Sequence, residues 1–151
     1  MRLEFGYGAG VQTVELPEEN LLGVLTANEI RHELGGEAAV RHALAHPIGA
    51  KPLRESVAPG QKIAIIASDI SRPVPSYEIL PAILDELTAA GCRDEDVTVV
   101  FALGSHRHHT EAEQRKLAGN AVFERVRCED SDPDDCIHLG TTSAGTPVDI
   151  T

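Results

Sequence analysis

Five polar residues in two short stretches have the side-chain types that acid–base chemistry on an anionic ligand requires. The first stretch contains Asp69, Ser71 and Arg72, and the second contains His106 and Arg107. An arginine guanidinium presents a planar fork of donors that matches a carboxylate or a phosphate. The ordinary pKa of histidine, about 6.5, lies near neutral pH and suits the side chain to proton transfer. An organic acid or a phosphate is therefore the ligand that these residues favour.

The elements around the two stretches read as a strand, a helix and a second strand. Residues 63–67 form an unbroken apolar run, which predicts a strand buried on both faces, and residues 97–102 predict a second buried strand. Between them, the apolar positions of residues 79–87 recur at helical spacing. We expect Pro81 in the first turn of this helix and Gly91 at its C-terminal end. The order predicts a right-handed parallel βαβ unit.

Each polar stretch follows the carboxyl end of a predicted strand. In open α/β sheets, ligands bind in the crevice outside those ends. If the two strands are neighbours, Asp69, Ser71 and Arg72 face the same crevice as His106 and Arg107. A capping box of Thr110 and Glu113 predicts a helix that begins there and ends near Gly119. Its N-terminus also favours an anion.

The same residues have structural explanations that the sequence leaves open. Asp69 could satisfy backbone N–H groups of its turn, and Arg72 could form a structural ion pair with it. His106 could be a surface side chain. A metal site built from His106, His108 and His109 would require a tight loop to aim three rings at one ion. We therefore expect no metal site, and we expect His108 and His109 to face solvent.

The remaining chain completes an α/β fold around this core. Two predicted strands, residues 3–7 and 11–16, flank Gly8-Ala9-Gly10 as a hairpin, and residues 21–25 are predicted as a third short strand. Further predictions are a helix over residues 36–45 and short strands around Val126, around Ile137 and over residues 146–150. The predicted fold class is α/β, with a parallel βαβ core, an N-terminal β-hairpin and a Rossmann-like layered sheet. We expect residues 1–151 to form one domain.

Composition excludes several classes of partner. The formal net charge of −11, from 13 basic and 24 acidic side chains, repels a phosphate backbone and argues against nucleic acid. The acidic excess is densest in residues 129–135, which we expect to form a solvated loop. No run approaches the ~18 apolar residues of a membrane span. Three cysteines without metal-ligand spacing indicate a reducing, cytoplasmic compartment.

The two polar stretches also carry a family resemblance. The sequences Ser68-Asp69-Ile70-Ser71-Arg72-Pro73-Val74-Pro75 and Ala102-Leu103-Gly104-Ser105-His106-Arg107, with Leu80-Pro81 between them and Thr110-Glu111 after them, resemble the nickel-dependent lactate racemase family. The resemblance extends from Tyr7-Gly8 to the tail residues 139–148. Ser105 stands where threonine is usual in this family, and His108 stands where proline is frequent.

The resemblance implies the N-terminal portion of a longer two-domain racemase or epimerase of 2-hydroxy acids, lactate or similar. It implies hydride transfer to a nickel-pincer nucleotide, with histidines as general bases. His106 would be one of two bases, and Arg72 would hold the substrate carboxylate. Asp69 would contact the cofactor ribose or orient its neighbours, and Ser71 would approach the cofactor phosphate. The family's cofactor lysine, nickel-binding histidine and second catalytic histidine lie downstream of the matched residues. We therefore expect the 151-residue chain alone to lack cofactor and activity.

Two other functions remain as alternatives. The chain could be a non-catalytic carboxylate- or phosphate-binding or interaction module that uses Arg72 and the helix terminus near His106. The second alternative is hydrolytic metal chemistry at the histidine cluster, which the resemblance disfavours. Apolar surface that the rest of a longer protein would cover makes self-association an expected property of the isolated chain.

Overall fold

The computed structural model describes residues 1–72 and 74–151, and the chain divides into two compact units, Met1–Glu33 and Leu34–Thr151. The first unit contains an antiparallel hairpin of β1 (Arg2–Tyr7) and β2 (Gly10–Glu15), as predicted. The prediction of a third strand over residues 21–25 is wrong. Leu22 and Leu25 are fully exposed, and no strand among the described residues pairs with them.

The second unit is built on a three-stranded parallel sheet with the order β3-β4-β5. The strands are β3 (Ile63–Ser68), β4 (Val97–Ala102) and β5 (Arg127–Asp130). Ile63 lies opposite Val97, and Ser68 lies opposite Ala102, so β3 and β4 end at the same level. The structure thereby confirms the α/β class and the parallel βαβ core.

Within the described residues, five α-helices accompany the sheet: α1 (Gly36–Ala45), α2 (Leu53–Ser56), α3 (Ser76–Ala89), α4 (Glu111–Ala118) and α5 (Asn120–Arg125). Three leucines of α3 pack against β4 and against side chains of α4 and α5, and this cluster is the hydrophobic core. Phe101 and Val99 of β4 lie at its centre and are fully buried. The short elements α2 and α5 were not predicted from the sequence.

Helix α3 connects β3 to β4 and ends as the sequence predicts. Gly91 has a φ of +85°, its N–H donates to the Thr88 carbonyl, and the N–H of Cys92 donates to the Leu87 carbonyl. This Schellman arrangement satisfies the last carbonyls of the helix. The expected position of Pro81 is wrong by one turn. Since α3 begins at Ser76, Pro81 lies inside the helix, in its second turn.

One face of the sheet is covered, whereas the sequence predicted that residues 63–67 are buried on both faces. Helices α3, α4 and α5 pack on one face. Ile66 on the other face keeps 66% of its surface exposed. Its apolar character therefore does not reflect burial within the described residues, and the prediction of a doubly buried strand is wrong.

The C-terminal residues form a second antiparallel hairpin of β6 (Ile137–Thr141) and β7 (Pro147–Ile150), in agreement with the strands expected there. The acidic run 129–135 is not wholly a loop, since Glu129 and Asp130 belong to β5. None of the described helices is long and apolar enough to cross a membrane.

Candidate active site

Asp69 and His106 are in direct contact at the carboxyl ends of β3 and β4. Asp69 is 3% exposed, and its Oδ2 forms a hydrogen bond with Nδ1 of His106. Its Oδ1 accepts a hydrogen bond of 2.8 Å from the Ser71 hydroxyl. The bond with His106, followed by that with Ser71, lowers the pKa of Asp69 below its ordinary value. An ionised Asp69 accepts a hydrogen bond from a proton carried on Nδ1 of His106, which leaves the lone pair on Nε2.

His106 borders an open cleft. Its side chain is 47% exposed, and no described residue forms a hydrogen bond with Nε2. The cleft measures about 260 Å³ and is lined by Ile66, Ala67, Ser68, Asp69, Arg72, Ala102, Leu103, Gly104 and His106. A base and a cation therefore border one small concave space, where a small anionic molecule fits.

Arg72 lies in this cleft without a protein counter-ion among the described residues. The carboxylate of Asp69 bonds to His106 and Ser71 instead, so the structural Asp69–Arg72 ion pair left open by the sequence is absent. Ser71 lies beside the pair, with its Oγ 3.4 Å from His106 Nδ1. The structure thus brings Asp69, Ser71, Arg72 and His106 to one place.

Arg107 has a different environment from its neighbour His106. Its guanidinium forms two hydrogen bonds with Glu113, of 2.7 and 2.9 Å. Glu113 belongs to the predicted capping box, which is confirmed: Thr110 Oγ1 accepts from the Glu113 N–H, and the Glu113 carboxylate accepts from the Thr110 N–H. The Arg107 bonds, then those of Thr110, lower the pKa of Glu113. Arg107 therefore stabilises the first turn of α4.

His109 and Asp130 are the residues near the site that sequence reasoning missed. The prediction that His109 faces solvent is wrong, because its side chain is only 1% exposed and contacts the Asp130 carboxylate at 2.7 Å. His108, 65% exposed, does lie at the surface. Asp130 stands at the carboxyl end of β5, so the rule that identified Asp69 after β3 could have identified it. Among the described residues, no three His, Cys, Asp or Glu side chains converge to hold a metal ion.

The fold and the cleft define an α/β protein in which an imidazole, a carboxylate and a guanidinium border one cleft at the carboxyl ends of neighbouring strands. The chain belongs to the lactate racemase N-terminal domain family, which matches residues 7–151.

Relatives and a solved structure agree with this membership. The chain is 32% identical to a lactate racemase of Thermoanaerobacterium thermosaccharolyticum over 98% of its own length and 36% of the relative's. It is 28% identical to a lactate racemase of Lactiplantibacillus plantarum, over 95% of this chain and 35% of that protein. The structure of the lactate racemase apoprotein from T. thermosaccharolyticum superposes with a TM-score of 0.74 at 32% identity, covering 99% of this chain and 35% of that one. The chain spans about a third of the length of these relatives.

Proposed function

We propose that this chain is the N-terminal portion of a longer two-domain, cytoplasmic racemase that interconverts the enantiomers of lactate or a similar 2-hydroxy acid. The observation that carries the proposal is the Asp69–His106 pair in one cleft with the Arg72 guanidinium. The two relatives are named lactate racemases, which supports the substrate class. Three cysteines without disulfide partners support the cytoplasmic location.

His106 acts as a general base in this proposal. Inversion at the carbon that bears the hydroxyl begins with loss of the hydroxyl proton, and His106 Nε2 takes it. Asp69 holds the proton on Nδ1 and stabilises the imidazolium that forms. Racemisation requires a base on each side of the substrate, and the second base is provided by another part of the protein.

Arg72 binds the substrate carboxylate. A 2-hydroxy acid carries its carboxylate on the carbon next to the hydroxyl, and the guanidinium and His106 border the same cleft. A bidentate guanidinium–carboxylate contact fixes the orientation of the acid as well as its position. This contact directs the hydroxyl towards His106.

The cleft also carries groups that fit the mononucleotide part of a nickel-pincer nucleotide. The Ser71 hydroxyl, beside the cleft, suits a phosphate if its proton turns from Asp69 to that group, and the buried Asp69 carboxylate suits a ribose hydroxyl. Because both Asp69 oxygens already accept hydrogen bonds, we assign Asp69 first to the orientation of His106. When bound, the cofactor supplies a hydride acceptor, so that the carbon-bound hydrogen need not leave as a proton. We propose no nickel ligand among these residues.

The test is the interconversion of pure L-lactate by the protein encoded by this sequence together with its downstream coding region, supplied with the nickel cofactor. We expect D-lactate to accumulate, as measured by chiral chromatography. We expect His106→Ala to slow interconversion by at least ~100-fold, because a general base contributes about 10²–10⁴-fold. An unchanged rate would remove His106 from the mechanism.

Two controls make the result specific. His138→Ala breaks another His–Asp pair, His138–Asp149 at 2.7 Å on the C-terminal hairpin, neither of which is among the described residues that line the cleft. Its activity should equal that of the unaltered enzyme. The 151-residue chain alone should leave L-lactate unchanged, since His106 is its one imidazole bordering the cleft among the described residues. Binding of lactate or phosphate without any turnover by the longer protein would favour the binding-module alternative.

A further inference from the structure

His109 is a buried imidazole whose two nitrogens and backbone N–H are all engaged. Its Nδ1 lies 2.7 Å from Asp130 Oδ1, and its backbone N–H donates to Asp130 Oδ2 at 2.7 Å. Its Nε2 lies 3.0 Å from the backbone nitrogen of Ile70. The ring also meets the edge of Phe101 in a T-shaped contact. These contacts connect residues that follow or end all three strands of the parallel sheet.

The partners fix the tautomer of His109. The Ile70 N–H can only donate, so Nε2 must carry a lone pair, and an ionised Asp130 can only accept, so Nδ1 must carry the proton. Burial alone would raise the pKa of Asp130, but hydrogen bonds from His109 and Gln114 outweigh it and lower this pKa. His109 is therefore a neutral ring without a nitrogen available to a substrate, and it cannot serve as the second base.

The Ile70 N–H belongs to the loop that carries Asp69 and Ser71. We name residues 69–72 the Asp69 loop and residues 103–109 the His106 loop. Ile70 directly follows Asp69 and precedes Ser71, so a bond to its N–H fixes the backbone between the two side chains that contact His106. The loops are thus joined twice, by Asp69–His106 and by Ile70–His109.

We infer that His109 is a positioning residue, which holds the Asp69 loop against the His106 loop so that Asp69 meets Nδ1 of His106. This inference rests on the proposed function for its effect on catalysis, but the geometry can be tested without catalysis. Asp130 anchors the ring from the end of β5, and Gln114 Nε2 donates to the same carboxylate at 3.2 Å. The third strand thereby determines the spacing of two loops that follow the other two strands.

The first experiment needs no substitution. NMR of the 15N-labelled 151-residue chain should show His109 with a proton on Nδ1 and an unprotonated Nε2. It should also show a scalar coupling from Nε2 to the Ile70 amide across the hydrogen bond. A protonated Nε2, or an Ile70 amide that exchanges as fast as an open loop, would overturn the inference.

The second experiment separates the two bonds of the ring. His109→Gln places an amide oxygen near the position of Nε2 and can still accept from Ile70, whereas His109→Asn reaches the position of Nδ1 and leaves Ile70 without its acceptor. In the longer enzyme we expect His109→Asn to lower kcat by about 10- to 100-fold with little change in KM, the scale of a small misplacement of reacting groups. His109→Gln should restore most of kcat.

Hydrogen exchange at Ile70 supplies the readout that loss of overall stability would not reproduce. In the 151-residue chain, exchange at Ile70 should accelerate selectively in His109→Asn, with core amides of β4 unchanged, and remain slow in His109→Gln. Equal kcat values, or equal Ile70 exchange, in the two variants would refute the positioning role. If the longer protein shows no racemase activity at all, the proposed function fails, and the NMR results alone decide the role of His109.

Discussion

At the scale of single residues, Asp69 determines which nitrogen of His106 carries the proton. Its carboxylate is buried, bonded to Ser71 and His106, and has a lowered pKa, so it remains ionised at neutral pH. An ionised acceptor at Nδ1 keeps the proton there and leaves the lone pair on Nε2. The two residues therefore act as one unit, and a change of Asp69 that preserves its shape can still change the chemistry.

We predict that Asp69→Asn lowers the racemase rate of the longer enzyme by at least ~100-fold, because loss of the orienting carboxylate of such a pair costs a large part of the general-base contribution. The amide can present its NH₂ group to His106, which reverses the tautomer and places the proton on Nε2. The rate is measured from L-lactate and from D-lactate, and the tautomer from imidazole 15N shifts in the 151-residue chain.

Asp149→Asn is the matched control for this prediction. Asp149 forms a 2.7 Å contact with His138 on the C-terminal hairpin, and the same substitution there should leave the rate unaltered. An Asp69→Asn enzyme of normal activity would show that the carboxylate does not orient the base.

At the scale of elements, sequence patterns predict the βαβ unit because the determinants are local. The apolar run before Asp69, the helical spacing before Gly91 and the capping box at Thr110 each act within a few residues of the chain. Asp69 and His106 each follow a strand, and the carboxyl ends of neighbouring parallel strands lie at the same end of the sheet. The two residues are therefore expected together. These features could be predicted from the sequence without knowledge of the packing.

The features that escaped prediction depend on distant partners. His109 is buried because Asp130 and Ile70, which are 21 and 39 residues away along the chain, accept and donate at its ring. The exposure of Ile66 depends on which face of the sheet the helices cover. The six-residue helix α5 is too short for a periodic pattern to indicate it. In each case the local sequence is compatible with more than one environment.

Asp96 connects the residues just before β3 and β4, at the amino ends of these strands and so at the end of the sheet opposite the cleft. Its side chain is 1% exposed and accepts from Lys62 at 2.6 Å and from Arg93 at 2.9 Å. The bond from Lys62, then that from Arg93, lowers the pKa of Asp96 below its ordinary value of 3.8. A carboxyl whose pKa is lower in the folded state stabilises the fold above its unfolded pKa, and this contribution is lost as the pH falls through the folded pKa.

We therefore predict that Asp96→Asn lowers the melting temperature at pH 7 and that its difference from the unaltered chain disappears in strong acid. Thermal unfolding followed by circular dichroism from pH 7 to pH 2 measures both curves. The unaltered chain should lose stability more steeply below about pH 4, where unfolded aspartates take up protons. Parallel curves for the two proteins would show that Asp96 titrates as it does in the unfolded chain.

At the scale of the whole molecule, one layer of helices covers one face of the sheet. The open face carries Ile66, 66% exposed, and the half-buried Val100, and β3 is an edge strand within the described residues. Exposed apolar area together with unpaired strand edges favours association with another chain. The net charge of −11 opposes it, because two copies repel each other.

We predict that the isolated 151-residue chain self-associates through this open face, and that added salt strengthens the association. Salt shortens the range of the repulsion, to about 10 Å at 0.1 M, while leaving the apolar attraction in place. Sedimentation velocity at increasing protein and salt concentrations measures the effect.

Ile66→Lys should keep the chain monomeric, since it places a charge on the open face. Ile48→Lys is the matched control, because Ile48 is fully exposed outside the sheet and should leave association almost unaltered. A monomeric chain under all conditions would show that repulsion outweighs the apolar face, and equal effects of the two lysines would show that net charge alone governs association.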